Sequence, residues 1–435
     1  SSTSRGLGDV YKRQADYISA RKSGLKAYKI KTNTYRLPRK YTIDTNKGQY
    51  LESFLSNNHD AKRDYFYNFG YERFGPVLYG FIKWMYEDLK KEGIQEVYFM
   101  ARDGYIMQKV YRELGYNNDI PDKYFEASRR SLRVPSYCDD YNLENVIKES
   151  PLLSTTNMEQ LLDSLGLEIS DYKEKIEKYG FTLEEHIKRD ELINNDQFIK
   201  FYEEIKQDVI DNSSTEKENL IKYLKQYDFN KKIAIVDIGW GGSMQKNLIQ
   251  TLDNQGISNN ITGYYLGLSK KSKQNLAANG YKAKGYLFDC LNNDTDKDVV
   301  IAFRPLFETL FLEQSGSVKC YETHEDGKTV AVRYEYEYVK DGELSHEAKK
   351  VRNIQSGAVD FARDFKNSKV SMYINSDEEI LFKYMYETGT NPNMEDVRKF
   401  GDFIFFNNGC GNYLAKPQKI RKYAVSYTHL RAHET

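Results

Sequence analysis

The chain has 435 residues, of which 40% are hydrophobic and only 8 are proline, a composition typical of a globular protein. Its 64 basic and 64 acidic side chains balance to a formal net charge of zero, so the sequence lacks the basic footprint of nucleic-acid-binding proteins. The apolar runs are far shorter than the roughly 20 residues that span a bilayer, and the 4 cysteines form no CxxC pair. We therefore expect a cytoplasmic protein without a transmembrane segment, a disulfide framework or a nucleic-acid partner.

Both ends of the chain resemble translated sequencing-adapter sequence. Residues 1–14 read SSTSRGLGDVYKRQ and residues 425–435 read VSYTHLRAHET, strings that recur at the edges of metagenomic gene fragments. We expect neither end to belong to the fold, and we expect the natural protein to extend beyond both.

The first ordered elements are predicted after a polar stretch. Residues 15–60 are rich in lysine with few periodic apolar positions, which predicts a linker or the edge of a missing upstream domain. Residues 75–89 are predicted to form an amphipathic helix, because their apolar side chains recur at i, i+3 and i+4. The short apolar run 97–101 predicts a strand, and a second helical pattern follows it. We assign residues 61–138 to the first part of an α/β core.

The middle of the chain changes character at residue 231. Residues 139–230 have helical spacing and many charges, which predicts a helical insertion. The buried-strand run 232–238 then leads into a glycine-rich turn and a helix, and another strand is predicted at 261–268. Residues 231–315 form the second part of the core. Because strands alternate with helices in both parts, we predict an α/β fold with a Rossmann-like parallel sheet.

Residues 316–424 are predicted to form a small β-hairpin and a helical C-terminal extension. Apolar and polar residues alternate on both sides of the turn 325–328, which is typical of a hairpin. The helical pattern returns at 347–365 and 377–386, and the polar, glycine-containing segment 407–412 is predicted to be a loop.

The strongest functional signal is IVDIGWGGS, residues 235–243, in which a strand carrying Asp237 leads through glycines into a helix. Glycines let backbone N–H groups approach an anion closely, and a helix N-terminus adds partial positive charge. This pattern predicts a phosphate cradle, and the alternative is a tight turn with Ser243 as the helix N-cap. The predicted cradle residues are Gly239, Trp240, Gly241, Gly242 and Ser243.

A second signal, ARDG, follows the predicted strand 97–101. Arg102 is suited to binding a phosphate or carboxylate, Asp103 is a candidate base or metal ligand, and Gly104 belongs to the same predicted ligand loop. The alternative is an Arg–Asp pair that caps the following helix.

A third signal, SRRS, follows the predicted strand 124–127. It places Arg129 and Arg130 beside two hydroxyl groups, an anion-binding composition, and the alternative is a solvated basic turn. If the three strands lie side by side, all three loops open at one edge of the sheet, where open α/β sheets bind ligands.

Other patterns are weaker. The DxD-like Asp294-Thr295-Asp296 lies in a polar run typical of a surface loop. Glu308 with Glu313 is a further acidic candidate, which we read as part of a helix face.

Several blocks resemble the large C-terminal part of bacterial predicted hydrolases of the haloacid-dehalogenase (HAD) superfamily, over roughly residues 65–417. These blocks are GPVLYGFIKW, YFMARDGYIMQKVY, SRRSLRVPS, IVDIGWGGSMQ, the region of Glu308, IQSGAVDFARDF and FGDFIF. Such proteins are often associated with genes for cell-surface polysaccharides or glycosyl transfer. The sequence lacks a strand-borne DxDx[TV] nucleophile motif, so the resemblance implies that a HAD catalytic domain lies upstream and that this chain is not a phosphatase.

A more distant likeness concerns the order of loops. Strand-ARDG-helix followed by strand-DIGWGGS-helix resembles the pyrophosphate and ribose-phosphate loops of phosphoribosyltransferases. That family usually has two adjacent acidic residues before its glycine loop, whereas Asp237 stands alone here. The likeness implies a fold and a ligand class only.

The sequence therefore predicts a module that binds a phosphorylated sugar or nucleotide-type ligand and acts with a HAD-like domain in cell-surface polysaccharide synthesis. Arg102, Arg129 and Arg130 hold anionic oxygens in this prediction, while Asp103 and Asp237 bind ribose hydroxyls, Mg²⁺ or a proton. If the module is catalytic, we expect a hydrolase or a glycosyl- or phosphoribosyl-type transferase. The rival hypotheses are a non-catalytic scaffold that docks a glycosyltransferase, and a glycosyltransferase itself.

Overall fold

The computed structural model describes residues 22–23, 46–150, 152, 154–183, 185–293, 300, 304–407 and 410–413. The adapter-like ends, residues 1–14 and 425–435, lie outside the described residues. The chain divides into two compact units, Ser1–Ala61 and Lys62–Thr435, and the sheets belong to the second.

The described strands are short, with the longest ones in the centre of the chain. In chain order they are β1 Glu96–Met100, β2 Asp122–Phe125, β3 Thr155–Thr156, β4 Ile187–Lys188, β5 Lys232–Trp240, β6 Asn260–Leu268, β7 Lys282–Asp289, β8 Val318–Thr323, β9 Thr329–Arg333, β10 Val339–Lys340, β11 Glu343–Leu344, β12 Ile404–Asn407 and β13 Cys410–Tyr413.

The described α-helices lie between and after these strands. They are α1 Asn46–Asn58, α2 Tyr65–Phe69, α3 Gly75–Glu92, α4 Gly104–Glu113, α5 Arg129–Arg133, α6 Leu143–Glu149, α7 Met158–Ser164, α8 Lys173–Lys178, α9 Arg189–Leu192, α10 Asp196–Leu224, α11 Ser243–Asn254, α12 Lys271–Asn275, α13 Arg304–Phe311, α14 His346–Lys366, α15 Val370–Ile374, α16 Glu378–Thr390 and α17 Met394–Phe400. A π-helical turn, Gly70–Phe74, joins α2 to α3. Single 3-10 turns occur at Tyr116–Asn118, Val134–Ser136, Ile169–Asp171 and Ala277–Asn279.

Five of the described strands form a parallel sheet in the order β2-β1-β5-β6-β7. The chain adds β2 on one side of β1 and places all later strands of the sheet on the other side, so the order reverses between β1 and β5. Helices flank the sheet, and the predicted α/β fold with a Rossmann-like parallel sheet is confirmed. In such sheets the reversal opens a crevice at the carboxyl ends of the strands, which is where ligands bind.

Side chains of β1 alternate between two covered faces of the sheet. Tyr98 belongs to a hydrophobic cluster with Ile235 of β5, Leu224 of α10 and Leu248 of α11. Phe99 instead contacts Tyr111 of α4, with ring centroids 5.4 Å apart. Because helices cover both faces, every residue of β1 is buried, and the strand appears in the sequence as a continuous apolar run rather than an alternating one.

The region predicted as a helical insertion contains α6 to α10 and the small β3–β4 ladder. Its apolar side chains form a separate cluster that includes Leu162, Ile176 and Phe201. The long helix α10 connects this cluster to the sheet, because Leu220 near its C-terminal end packs in the sheet cluster.

The structure departs from the sequence predictions at three places. Residues 46–58, predicted as part of a linker, form α1, whose buried leucines Leu51 and Leu55 are spaced at i and i+4 in an otherwise polar stretch. Strand β7 was missed, since its sequence KAKGYLFD mixes charges with a central glycine. The predicted loop at 407–412 is wrong at residues 407 and 410–412, which belong to the antiparallel pair of β12 and β13, while residues 408–409 lie outside the described residues.

The hairpin predicted around the turn 325–328 is confirmed by the antiparallel pairing of β8 with β9. Among the described residues, no helix is both long enough and apolar enough to cross a membrane.

A buried ion pair stabilises the junction between the insertion and the core. Arg130 of α5 donates two hydrogen bonds, each of 3.0 Å, to the carboxylate of Glu216 on α10, and both side chains are nearly buried, at 8% and 11% exposed. Removing the carboxylate leaves a buried guanidinium without its partner.

Glu216→Ala is therefore expected to lower the free energy of unfolding by roughly 3 kcal/mol. Chemical denaturation monitored by circular dichroism measures this value. The control Lys206→Ala breaks a surface pair with Glu203 and should have no measurable effect. A loss for Glu216→Ala as small as the control would contradict the structural role of the pair.

Candidate functional site

A cleft of about 1000 Å³ opens at the carboxyl ends of β2, β1 and β5. The three loops singled out in the sequence meet in this cleft, because their strands are neighbours in the sheet. Every predicted site residue lines it except Gly104, which is buried at the start of α4, where an added Cβ would lie 2.9 Å from the carbonyl carbon of Phe99. Residues of the insertion around α7 and the segment 334–338 after β9 form its outer walls.

Three carboxylates, those of Asp103, Asp237 and Glu308, line the cleft and interact electrostatically. Burial raises the pKa of Asp103 well above its usual range, and the negative charges of Asp237 and Glu308 raise it further. Burial also raises the pKa of Asp237 to about 6, although the backbone amides of Ile238 and Gly239 lower it. Asp103 starts α4 without capping it through its side chain. The predicted alternative, an Arg–Asp helix cap, is thus not observed.

Glu308, read from the sequence as part of a helix face, lies in α13 and lines the cleft. Its Oε1 accepts a hydrogen bond of 3.1 Å from the indole nitrogen of Trp240 and lies 3.5 Å from Nε of Arg304. Its charge raises the pKa of both aspartates. Sequence spacing gives no sign of this contact, because Glu308 and Trp240 lie in different elements that only the fold brings together.

The glycine-rich turn brings backbone, rather than side chains, to the cleft. Strand β5 continues through Gly239, whose φ is +121° and where a Cβ would lie 2.3 Å from the carbonyl oxygen of Gly267 in β6. Gly242 has a φ of +69° and is the N-cap of α11, with no side-chain hydrogen bond to the cap. Ser243 is the first residue of the helix, so the predicted alternative of Ser243 as N-cap is not observed. The N-terminal amides of α11 have no side-chain cap, and helix N-termini attract anions.

Two cations flank this turn without an ion pair among the described residues. Arg129, at the start of α5, is exposed, and its charge lowers the pKa of Asp103 and of Asp237. Lys271 of α12 runs its side chain over the turn, because a Cβ at Gly241 would lie 3.4 Å from its Cδ. The sequence did not reveal Lys271, since α12 follows β6 and reaches the turn only through the pairing of β6 with β5.

Arg102 lines the cleft but has partners within the protein. Its side chain donates hydrogen bonds of 2.6 Å to Ser317 and to Glu337. Its backbone amide donates to the hydroxyl of Tyr124 at 3.0 Å, and its φ is +70°, a conformation uncommon outside glycine. Arg102 thus connects the loop after β1 to the segment around β8 and β9. A ligand would have to compete with Glu337 for its guanidinium group.

Arg130 is also occupied. Besides its bidentate pair with Glu216, it donates to the carbonyl oxygen of Lys319. The neighbouring hydroxyls of Ser128 and Ser131 form a capping box at the start of α5. Of the SRRS segment, only Arg129 therefore has its charge available to a ligand.

The acidic side chains suit a cation that is shared with a ligand. Within the described part of the chain, no group of three or more His, Cys, Asp and Glu side chains is arranged to hold a metal ion. Mg²⁺, however, commonly binds one or two carboxylates and completes its coordination with substrate phosphates and water. Asp103 and Asp237, whose charges repel each other, fit that donor set. Asp294-Thr295-Asp296 lies outside the described residues.

No protein-family model matches the chain, and no curated protein matches it. The class that fold and site define is an α/β protein with a polar cleft at the point where the strand order of its parallel sheet reverses. The likeness to HAD-associated proteins remains a prediction.

The raised pKa of Asp237 predicts how stability depends on pH. At a pH below the usual aspartate value the carboxyl is protonated in both states, and as pH rises through about 6 its ionisation favours the unfolded chain. Asp237→Asn removes this destabilisation, so the variant should be more stable than the wild type at pH 7.5, by roughly 3 kcal/mol. The difference should shrink as pH falls towards 5.

Urea denaturation at several pH values between 5 and 8 measures this difference. Asp190→Asn, at an exposed aspartate outside the cleft, is the matched control and should leave the stability profile unchanged. Equal stability of Asp237→Asn and the wild type across the range would show that the Asp237 carboxyl is not destabilised by burial.

Proposed function

We propose that the cleft binds the phosphate end of a phosphorylated sugar or nucleotide-type ligand together with Mg²⁺. The observation that carries this proposal is the meeting of the half-buried Asp103 and the buried Asp237 with the uncapped N-terminus of α11, at the reversal of strand order. Arg129 and Lys271 add positive charge around the same turn. Ligands of open α/β sheets bind at such a position.

The charges divide naturally between the ligand and the cation. Phosphate oxygens accept hydrogen bonds from the amides at the start of α11 and pair with Arg129 and Lys271. Asp103 and Asp237 would repel a phosphate. A Mg²⁺ ion between these carboxylates and the phosphate supplies the positive charge that offsets the repulsion. Binding one phosphorylated ligand therefore uses both the acidic and the basic side chains of the cleft.

We also propose that Asp237 moves a proton in the arrangement where Asp103 alone holds Mg²⁺. A carboxyl whose pKa is about 6 gives up or accepts a proton near neutral pH more readily than an ordinary aspartate does. A transfer or hydrolysis reaction at the bound phosphate or at the adjacent sugar carbon would use such a group.

The wider role follows from the sequence resemblance. The blocks that resemble HAD-associated proteins support a place in cell-surface polysaccharide synthesis, with a HAD-like domain upstream and a glycosyltransferase as a partner. Binding and catalysis by this cleft do not depend on that assignment, so they are tested separately.

A thermal-shift screen of the full chain tests the proposal. Sugar phosphates, phosphoribosyl pyrophosphate and sugar nucleotides are added with and without Mg²⁺. A ligand that binds the native state alone raises the melting temperature by mass action. We expect a Mg²⁺-dependent increase that is lost in Asp237→Ala.

Arg129→Ala and Lys271→Ala should each weaken binding of the ligand roughly tenfold, because each removes a charge-assisted contact to phosphate. Titration calorimetry on the best ligand of the screen measures this loss. Lys222→Ala, an exposed lysine of α10 outside the cleft, is the control and should bind like the wild type. A well-folded wild type that responds to none of the ligands would reject the proposal and favour the docking scaffold.

A further inference from the structure

We propose that Glu308 binds a hydroxyl group of the ligand, so that the cleft selects a phosphorylated sugar over inorganic phosphate or pyrophosphate. The inference rests on the proposed function and deepens it, because it adds a second recognition element beside the phosphate. Nothing in the sequence pattern assigned this role to Glu308.

The two oxygens of the Glu308 carboxylate have different surroundings. Oε1 accepts the indole hydrogen bond of Trp240 at 3.1 Å and lies 3.5 Å from Nε of Arg304. Oε2 makes no hydrogen bond within the described part of the chain, and the side chain is 28% exposed on the wall of the cleft. The protein thus holds one oxygen in place and leaves the other open to a ligand.

Trp240 fixes the position of this carboxylate relative to the glycine-rich turn. Its ring stacks on Phe288 of β7, with centroids 5.8 Å apart and an angle of 6° between the planes. The ring of Phe307, the residue before Glu308 in α13, packs edge-on against the indole, with the ring centroids 6.5 Å apart. A carboxylate held by a packed indole loses little freedom on binding, which favours affinity.

The negative charge of Glu308 and of the neighbouring aspartates determines which group of a ligand Glu308 can bind. Its negative charge is close enough to raise the pKa of both Asp103 and Asp237, and it would repel a phosphate. A carboxylate instead accepts hydrogen bonds from hydroxyl groups. The phosphate belongs at the start of α11, beside Arg129 and Lys271, and the hydroxyl at Glu308.

Asp237 lines the same cleft as Glu308. It is only 8% exposed, and the backbone amides of Ile238 and Gly239 donate hydrogen bonds to it. An ionised carboxylate has about four acceptor positions, so these two bonds leave room for a cation. A sugar phosphate with its cation provides partners for Asp237 and Glu308 together.

The test compares ribose 5-phosphate and glucose 1-phosphate with inorganic phosphate, all with Mg²⁺, by titration calorimetry on the full chain. We expect the wild type to bind a sugar phosphate more tightly than phosphate. Glu308→Ala should weaken sugar-phosphate binding roughly tenfold and leave phosphate binding unchanged or slightly stronger. Trp240→Phe keeps the aromatic stack, removes the hydrogen bond to Glu308, and should cause a smaller loss of the same kind.

Glu308→Gln keeps the size of the side chain and serves if the alanine variant does not fold. Its preference for the sugar phosphate over inorganic phosphate should also decrease, because an amide is a weaker acceptor than a carboxylate. Equal losses for sugar phosphate and phosphate, or a wild type without preference, would overturn the role of Glu308 while leaving phosphate binding in place. Absence of binding by every probe would instead overturn the proposed function itself.

Discussion

The pairing of β1 with β5 is the constraint on which the site depends. Its parallel register places Phe99 beside Val236, one residue before Asp237, so the loop after β1 and the last residues of β5 reach the same edge of the sheet. The helical insertion lies between these strands in sequence and has to close outside the sheet. It does so through α10, which returns the chain to the sheet core and brings Glu216 to Arg130. Residues around α7 of the same insertion line one outer wall of the cleft.

The distribution of charge follows from this arrangement. Arg102 and Arg130 are held by Glu337 and Glu216, so they fix the outer walls, although the charge of Arg102 still lowers the pKa of Asp103. The carboxylates that line the cleft therefore keep more negative charge than its basic side chains balance, which is why burial and mutual repulsion raise the pKa of Asp103. Keeping such groups costs stability and is common where a protein binds or transforms a ligand.

The sequence predicted the sheet well and the site in part. Strands such as β1 and β5 are continuous apolar runs whose burial is a local property, and the turns that follow them are visible from glycine and charge. The meeting of Asp103, Arg129 and Asp237 followed from adjacency of their strands. A basic side chain is available to a ligand only when no acidic group of the protein binds it, and such contacts can be distant in sequence. The partners of Arg102 and Arg130 were therefore not predictable. The contact of Glu308 with Trp240 was not predictable for the same reason, because helix periodicity places a residue on a helix face but does not show what that face contacts.

Trp240 connects the central sheet to the carboxylate of Glu308. It is the last residue of β5, so its backbone position is set by the sheet, while its ring is set by packing against β7 and α13. Its indole nitrogen then fixes a carboxylate that belongs to another part of the chain. The side chain that the sequence marked as a candidate ligand contact thus acts through its hydrogen bond to Glu308. Sheet pairing and ring packing therefore position the glycine-rich turn and Glu308, while residues around α7 and the segment 334–338 form the outer walls of the cleft.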